Sequence, residues 1–172
     1  AKGLYSAVLA GQVFGNTKLS EITVVNSNVV SDGIYSGVIA GSVSGTSGMS
    51  GIRVENCSVN SKANYVGALA GYASVDGALE NSEIKNVKIN GAEYVGGVVG
   101  LAEGKTAIKS ASVEGSIIKG VSEISGIAAG RENVSVADAR VSSSEISTIA
   151  DAAAFVAGGI ASSFCSSISS VE

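Results

Sequence analysis

The chain has 172 residues, with 15 acidic against 11 basic side chains and a net charge of −4. It contains no His, no Pro and no Trp, but 23 Gly, and aromatic residues make up only 5%. Without His, no Ser-His-Asp or Cys-His system and no His-Glu-x-x-His zinc motif can be built. No basic cluster occurs, so nucleic acid is not an expected partner. The longest apolar stretches, such as residues 152–161, fall well short of the ~20 residues a membrane helix needs, so no membrane insertion is expected.

In chain order, one pattern returns about every thirty residues. Tyr5, Tyr35, Tyr65 and Tyr94 each open a seven-residue segment: YSAVLAG, YSGVIAG, YVGALAG and YVGGVVG. A fifth copy, ISGIAAG, starts at Ile124, and a decayed sixth, VAGGIAS, at Val156. A fixed period of this size means one structural unit stacked on copies of itself, each burying its apolar face on its neighbours. We expect a single domain over residues 1–172, with coils starting near 5, 35, 65, 94, 124 and 156. The chain opens inside the repeat pattern, so we expect a piece of a longer protein or a processed mature chain.

Each unit reads in two halves. The first runs from the Tyr slot to a Gly slot at Gly11, Gly41, Gly71, Gly100 and Gly130. Its bulkiest inner position is Leu9, Ile39, Leu69, Val98 and Ala128. Two positions after the Tyr slot come Ala7, Gly37, Gly67, Gly96 and Gly126, a row of near-absent side chains that lets backbone or a neighbouring layer approach closely. The second half alternates: Ile52-Arg53-Val54-Glu55 places Ile and Val on one face and the charges on the other, the mark of a half-buried strand. Val54 and Cys57 both belong inside, yet two residues separate them, so the chain must turn at Glu55 and Asn56. Asn26, Asn56 and Asn86 share this slot, and Asn tolerates left-handed backbone and can bond its stacked copies in an amide ladder. A third short strand follows, as in Cys57-Ser58-Val59, Val87-Lys88-Ile89 and Ser116-Ile117-Ile118.

Val, Ile, Ser, Thr, Asn and Gly dominate the units, which favours strands and turns over helix pairs of similar length. Only residues 150–157 would suit a short helix. The fold class is therefore all-β: a parallel β-helix, or β-solenoid, of about six ~30-residue coils with three short strands each. Its core must be thin, because small side chains cannot fill a wide interior. Cys57 and Cys165 lie more than three coils apart, roughly 15 Å or more at ~4.8 Å per coil, too far for a disulfide. Cys57 reads as a small buried hydrophobe.

The segment Tyr94-Val95-Gly96-Gly97-Val98-Val99-Gly100, with weaker copies at Tyr65, Tyr35 and Tyr5, resembles the GLUG repeat. The resemblance covers nearly the whole chain, although Ser and Ala replace the regular bulk in its final third. It implies a secreted or cell-surface setting and a right-handed β-solenoid, and it carries no catalytic residues across. Such repeats look like parts of bacterial and archaeal surface proteins. They also resemble segments beside the catalytic portions of zinc metallopeptidases that cleave immunoglobulin A.

For chemistry, paired carboxylates are the remaining catalytic option on a β-helix. Glu93 and Glu123 share the slot before the Tyr position and are expected one coil apart, with a solvated surface pair the plainer expectation. The Tyr column Tyr5, Tyr35, Tyr65, Tyr94 reads either as a half-buried stack that fixes register or as an aromatic track for a partner. The expected function is a non-enzymatic structural or spacer module of an extracellular surface protein, in contact with the parent protein's adjacent domains. An adhesin module binding host glycan or protein is the alternative, and a carbohydrate-active β-helix enzyme a further one. No cofactor or metal is expected.

Overall fold

A computed structural model describes residues 3–62, 64–131, 133–149, 157–162 and 167–172. Among these there is no helix. The chain winds into about five coils, with part of a sixth. The second coil shows the plan. Strand β6 (Tyr35–Gly37) leads into β7 (Ala40–Gly45), β8 (Gly48–Glu55) and β9 (Ser58–Ser61). The first coil carries β1 (Tyr5–Ser6), β2 (Ala10–Val13), β3 (Lys18–Ser20), β4 (Thr23–Val25) and β5 (Asn28–Ser31) at the same places. The third has β10 (Tyr65–Gly67), β11 (Ala70–Val75), β12 (Ala78–Lys85) and β13 (Lys88–Asn90). The fourth has β14 (Tyr94–Gly96), β15 (Val99–Glu103), β16 (Ala107–Glu114) and β17 (Ile117–Gly120). In the fifth come β18 (Ile124–Ser125), β19 (Ala128–Gly130), β20 (Ser135–Ala137), β21 (Arg140–Ser142) and β22 (Glu145–Thr148). Only β23 (Ala157–Gly158) and β24 (Ser167–Ser169) of the sixth are described.

Each strand pairs in parallel with its counterpart one coil away, giving four sheets. The sheet count exceeds the three strands per coil read from sequence because the Tyr-to-Gly segment is not one strand. It folds at Val38-Ile39, both fully buried, so β6 and β7 lie in different sheets. The core is a single narrow cluster of Val, Ile, Leu and Ala running the length of the stack. Its largest side chains, among them Ile39, Met49, Leu69, Leu79 and Ile108, sit in columns that repeat coil after coil. At ~4.8 Å per coil, five coils span about 24 Å.

Two columns of left-handed backbone shape each coil. The Asn corner is one: Asn26, Asn56 and Asn86 have φ of 51°, 51° and 52°. Gly115 (φ 59°) and Ser143 (φ 50°) continue it. Sequence reasoning missed the other, at Glu21, Gly51, Asn81, Ser110, Asp138 and Ser170. It kinks β8, β12 and β16 in mid-strand, so that Met49 and Ile52 both face inward although two residues separate them.

The fifth coil departs from its expected alignment. Ile124 pairs with Val95, not Tyr94, and enters the core, where it is fully buried. The inner slot before the fold is thus Val98 followed by Ile127 rather than Ala128, which keeps aliphatic bulk inside. The register then shifts between Val99 and Leu101, and Gly130 pairs with Ala102 instead of following Gly100. The expected sixth start, Val156, lies outside the described residues, as do Cys165 and most of the 150–157 segment.

Candidate binding face

Along β6, β10 and β14 the residue after Tyr points inward and is fully buried: Ser36, Val66 and Val95. Alternation therefore turns Tyr35, Tyr65 and Tyr94 outward, half-buried. Tyr5 pairs with Tyr35, Tyr35 with Tyr65 and Tyr65 with Tyr94, so the four rings form one column. Successive ring centroids are 5.2, 5.0 and 5.2 Å apart, with planes within 13° of parallel. The stack therefore covers most of its own ring faces and offers mainly ring edges and hydroxyls to solvent.

Tyr72, on the outward face of β11, leans against this column, with its centroid 5.6 Å from that of Tyr35 and 6.2 Å from that of Tyr65. Sequence reasoning passed over it because Gln12, Ser42 and Leu101 occupy its slot in the other coils. Its hydroxyl donates to Glu103 Oε2 at 2.9 Å. Arg131 bridges the group. Its guanidinium meets Glu103 Oε1 at 3.2 Å, donates to Tyr94 Oη at 2.9 Å, and lies 5.5 Å from the Tyr94 ring centre. This places a cation over the end of the stack, a favourable contact with the ring quadrupole. Burial, then the neighbouring phenols Tyr35 and Tyr94, push the Tyr65 phenol above its ordinary value. For Tyr72 the causes are burial and the hydrogen bond to Glu103. The hydrogen bond to Tyr94, followed by that phenol's charge, raises Arg131, which stays a fixed cation.

Gly11, Gly41, Gly71 and Gly100 stand in register behind the column. A Cβ at Gly41 would come within 2.6 Å of the Gly11 carbonyl oxygen and 3.0 Å of that of Tyr35, so these glycines let the second sheet close against the first. At the Asn corner, Asn86 Nδ2 donates to Asn56 Oδ1 at 3.3 Å, one rung of the amide ladder. Cys57 is buried beside it, with Sγ 3.2 Å from the Glu55 carbonyl oxygen. Ser27 and Ser116 make the same contact two residues back, at 3.0 Å each, so the thiol serves this slot as a hydroxyl does.

The carboxylates Glu93 and Glu123 are not in register. With Ile124 opposite Val95, Glu123 takes the place opposite Tyr94, in left-handed backbone at φ 51°. The pair expected one coil apart is therefore not formed. Among the described residues no group of three His, Cys, Asp or Glu is placed to hold a metal ion, and no helix is long and apolar enough to cross a membrane.

Residues 91–118 match the family model described as the GLUG motif. One coil of the chain thus matches the GLUG motif. The GLUG match runs from Gly91, just before β14, into β17, and so spans one coil with Tyr94, Gly100 and Arg131's partner Glu103 inside it. The register that ties Tyr94 to Tyr65, Tyr35 and Tyr5 extends the same plan to the coils before it. Searches of curated proteins and of solved structures gave no significant match.

Proposed function

We propose that this chain is a structural spacer: a short β-solenoid module of a secreted or cell-surface protein, without enzymatic activity, that holds adjacent domains apart and offers its flank for protein contact. One observation carries this reading. The polar and aromatic side chains that a binding or catalytic role would recruit are largely engaged with the next coil. The Tyr faces stack on each other, Arg53 meets Glu83 at 2.8 Å, Lys119 meets Glu145 at 2.8 Å, and Arg131 meets Glu103. Side chains used this way stiffen a rod along its axis. The GLUG motif is compatible with an extracellular repeat module.

Incubation of the purified chain with a panel of polysaccharides, assayed for new reducing ends, should give none. Hydrolysis abolished by Glu103→Gln or Glu123→Gln would replace this reading with an enzymatic one.

An adhesive role is the second reading, favoured by the row of tyrosine edges and hydroxyls about 5 Å apart on one side. Stacked faces leave little room for a sugar ring to lie flat, which points to protein rather than glycan as the ligand. Binding to host-surface glycans on an array that is lost in Tyr35→Ala would reverse that preference.

A further inference from the structure

The chain has five Tyr, one Met and two Cys, with no Trp and no His, so few of its side chains are open to oxidation. The two sulfurs among the described residues belong to the core: Met49 is 1% exposed and Cys57 3%. The tyrosines stand half-buried at the surface. Susceptibility to an oxidant follows exposure, so the aromatic cluster meets it before the sulfurs do.

Within the cluster the phenols differ. A phenol gives up an electron easily only when its proton can leave as well, because its radical cation is a far stronger acid than the phenol itself. Tyr72 has an acceptor in place: its hydroxyl donates to Glu103 Oε2 at 2.9 Å, while Arg131 holds the other carboxylate oxygen at 3.2 Å. Tyr94 is placed the opposite way. Its oxygen accepts from Arg131 at 2.9 Å, and the guanidinium stands 5.5 Å from its ring centre. A fixed cation there opposes loss of an electron. Tyr72 also has a phenol beside it in the next coil. The Tyr35 ring centre is 5.6 Å away and the two planes cross at 60°. Rings joined by a carbon–carbon bond lie side by side with twisted planes. This pair is nearer to that arrangement than Tyr35 and Tyr65, whose planes are 13° from parallel.

We propose that Tyr72 and Tyr35 form an oxidative modification site, where a one-electron oxidant of the peroxidase-haem or metal-complex class joins coils two and three through a dityrosine bond. Tyr72 gives its electron to the oxidant and its proton to Glu103 Oε2, which leaves a neutral phenoxyl radical. A second oxidant molecule takes an electron from Tyr35, whose proton goes to solvent. The two unpaired electrons form a carbon–carbon bond between ring positions ortho to the hydroxyls. The hydrogens on the joined carbons then move to the two oxygens through water, and both phenols are restored. In all, two phenols and two oxidant molecules give one linked pair, two protons and two reduced oxidants. The bond ties β6 to β11, which lie in different sheets and share no ladder of backbone hydrogen bonds.

The test illuminates the dilute chain briefly with tris(bipyridine)ruthenium(II) and persulfate, then reads dityrosine fluorescence and maps the linked peptides by mass spectrometry. The main product should join Tyr35 to Tyr72 with the loss of two hydrogens. Tyr72→Phe should remove it, and Tyr65→Phe should leave it. Glu103→Gln keeps a hydrogen-bond acceptor for Tyr72 but takes up a proton poorly. It should lower the yield on the order of tenfold, as expected when a positioned proton acceptor is lost. Slow hydrogen exchange in β8 and β12 reports that each variant is folded, and the map on the parent chain stands by itself should a variant fail to fold. The proposal is overturned if the bond maps to neighbouring rings of the column or links two chains. It is equally overturned if Tyr72→Phe or Glu103→Gln gives the parent yield, or if no dityrosine forms.

Discussion

At Asn56 the backbone is left-handed, a conformation that costs an ordinary L-residue about 1–2 kcal/mol. The Asn56→Ala variant should therefore lose about 1 kcal/mol of stability in a denaturant melt, while Asn56→Gly should change it by only a few tenths. A sharper case is the inner corner where the last sheet meets the first. In the early coils it holds paired hydroxyls: Ser31 donates to Ser6 at 2.7 Å, and Ser36 and Ser61 lie 3.1 Å apart. One coil on, the serines give way to Val66 and Gly91, and then to Val95 and Gly120. A Cβ at Gly91 would lie 2.7 Å from Val66 Cγ2 and 2.8 Å from Val95 Cγ2, so valine fills the volume that the partner serine gives up. Gly91→Ala should cost about 1–3 kcal/mol through overpacking. Adding Val66→Ala should recover part of this loss, and a double-mutant cycle measures the coupling.

These residue-scale features were unequally legible in the sequence. The Asn corner could be read because one amino acid repeats there with an obvious gap between inward residues. The second left-handed column obeys the same rule, but Glu, Gly, Asn, Ser and Asp take turns in it, and no single residue type announces it. Its only signal is the spacing of Met49 from Ile52, and of Leu79 from the buried Ser82. In ISGIAAG the small side chains fit two alignments one residue apart. Burial of Ile124 and Ile127 decides between them, and burial needs the fold.

Among the elements, β6 and β10 hold the most heavily engaged rings, each with three ring partners. Tyr65 stacks on two tyrosines and meets a third edge-on, while Tyr94 stacks on one. At about 0.5–1.5 kcal/mol per aromatic pair, Tyr65→Ala should destabilise more than Tyr94→Ala, and thermal melts of the two variants test that order. The column also carries a pH dependence. Tyr65 and Tyr72 are held neutral to higher pH in the fold than in the unfolded chain, where tyrosine ionises near pH 10. Above that pH the native state binds more protons than the unfolded state, so stability falls as pH rises. Melting temperature should decline from about pH 9 to about pH 11, and less steeply in the Tyr65→Phe/Tyr72→Phe variant. The column was legible in the sequence through its period. Tyr72 and Arg131 were not, because each stands alone at its slot and joins the column only across a corner.

For the whole molecule, stability is close to a sum of coil terms and neighbour terms, since each coil touches only the ones beside it. Hydrogen exchange should therefore be graded, slowest in β11, β12 and β16 and faster toward β1 and β22. A single exchange rate across all coils would contradict that picture. The rungs of charge on the flank, such as Arg53–Glu83 and Lys85–Glu114, are largely exposed, so each contributes little. Raising the salt to about 0.5 M should leave the melting temperature nearly unchanged, because exposed pairs are already screened at ordinary ionic strength.

The chain has five tyrosines and no tryptophan, and all five belong to the one aromatic cluster. Every chromophore that absorbs near 280 nm thus sits at a coil-to-coil contact, close enough for excited states to be shared between rings. Near-ultraviolet circular dichroism of this molecule is in effect a gauge of how well its turns are aligned. It would fade as soon as the spool slipped, even while the far-ultraviolet strand signal persisted.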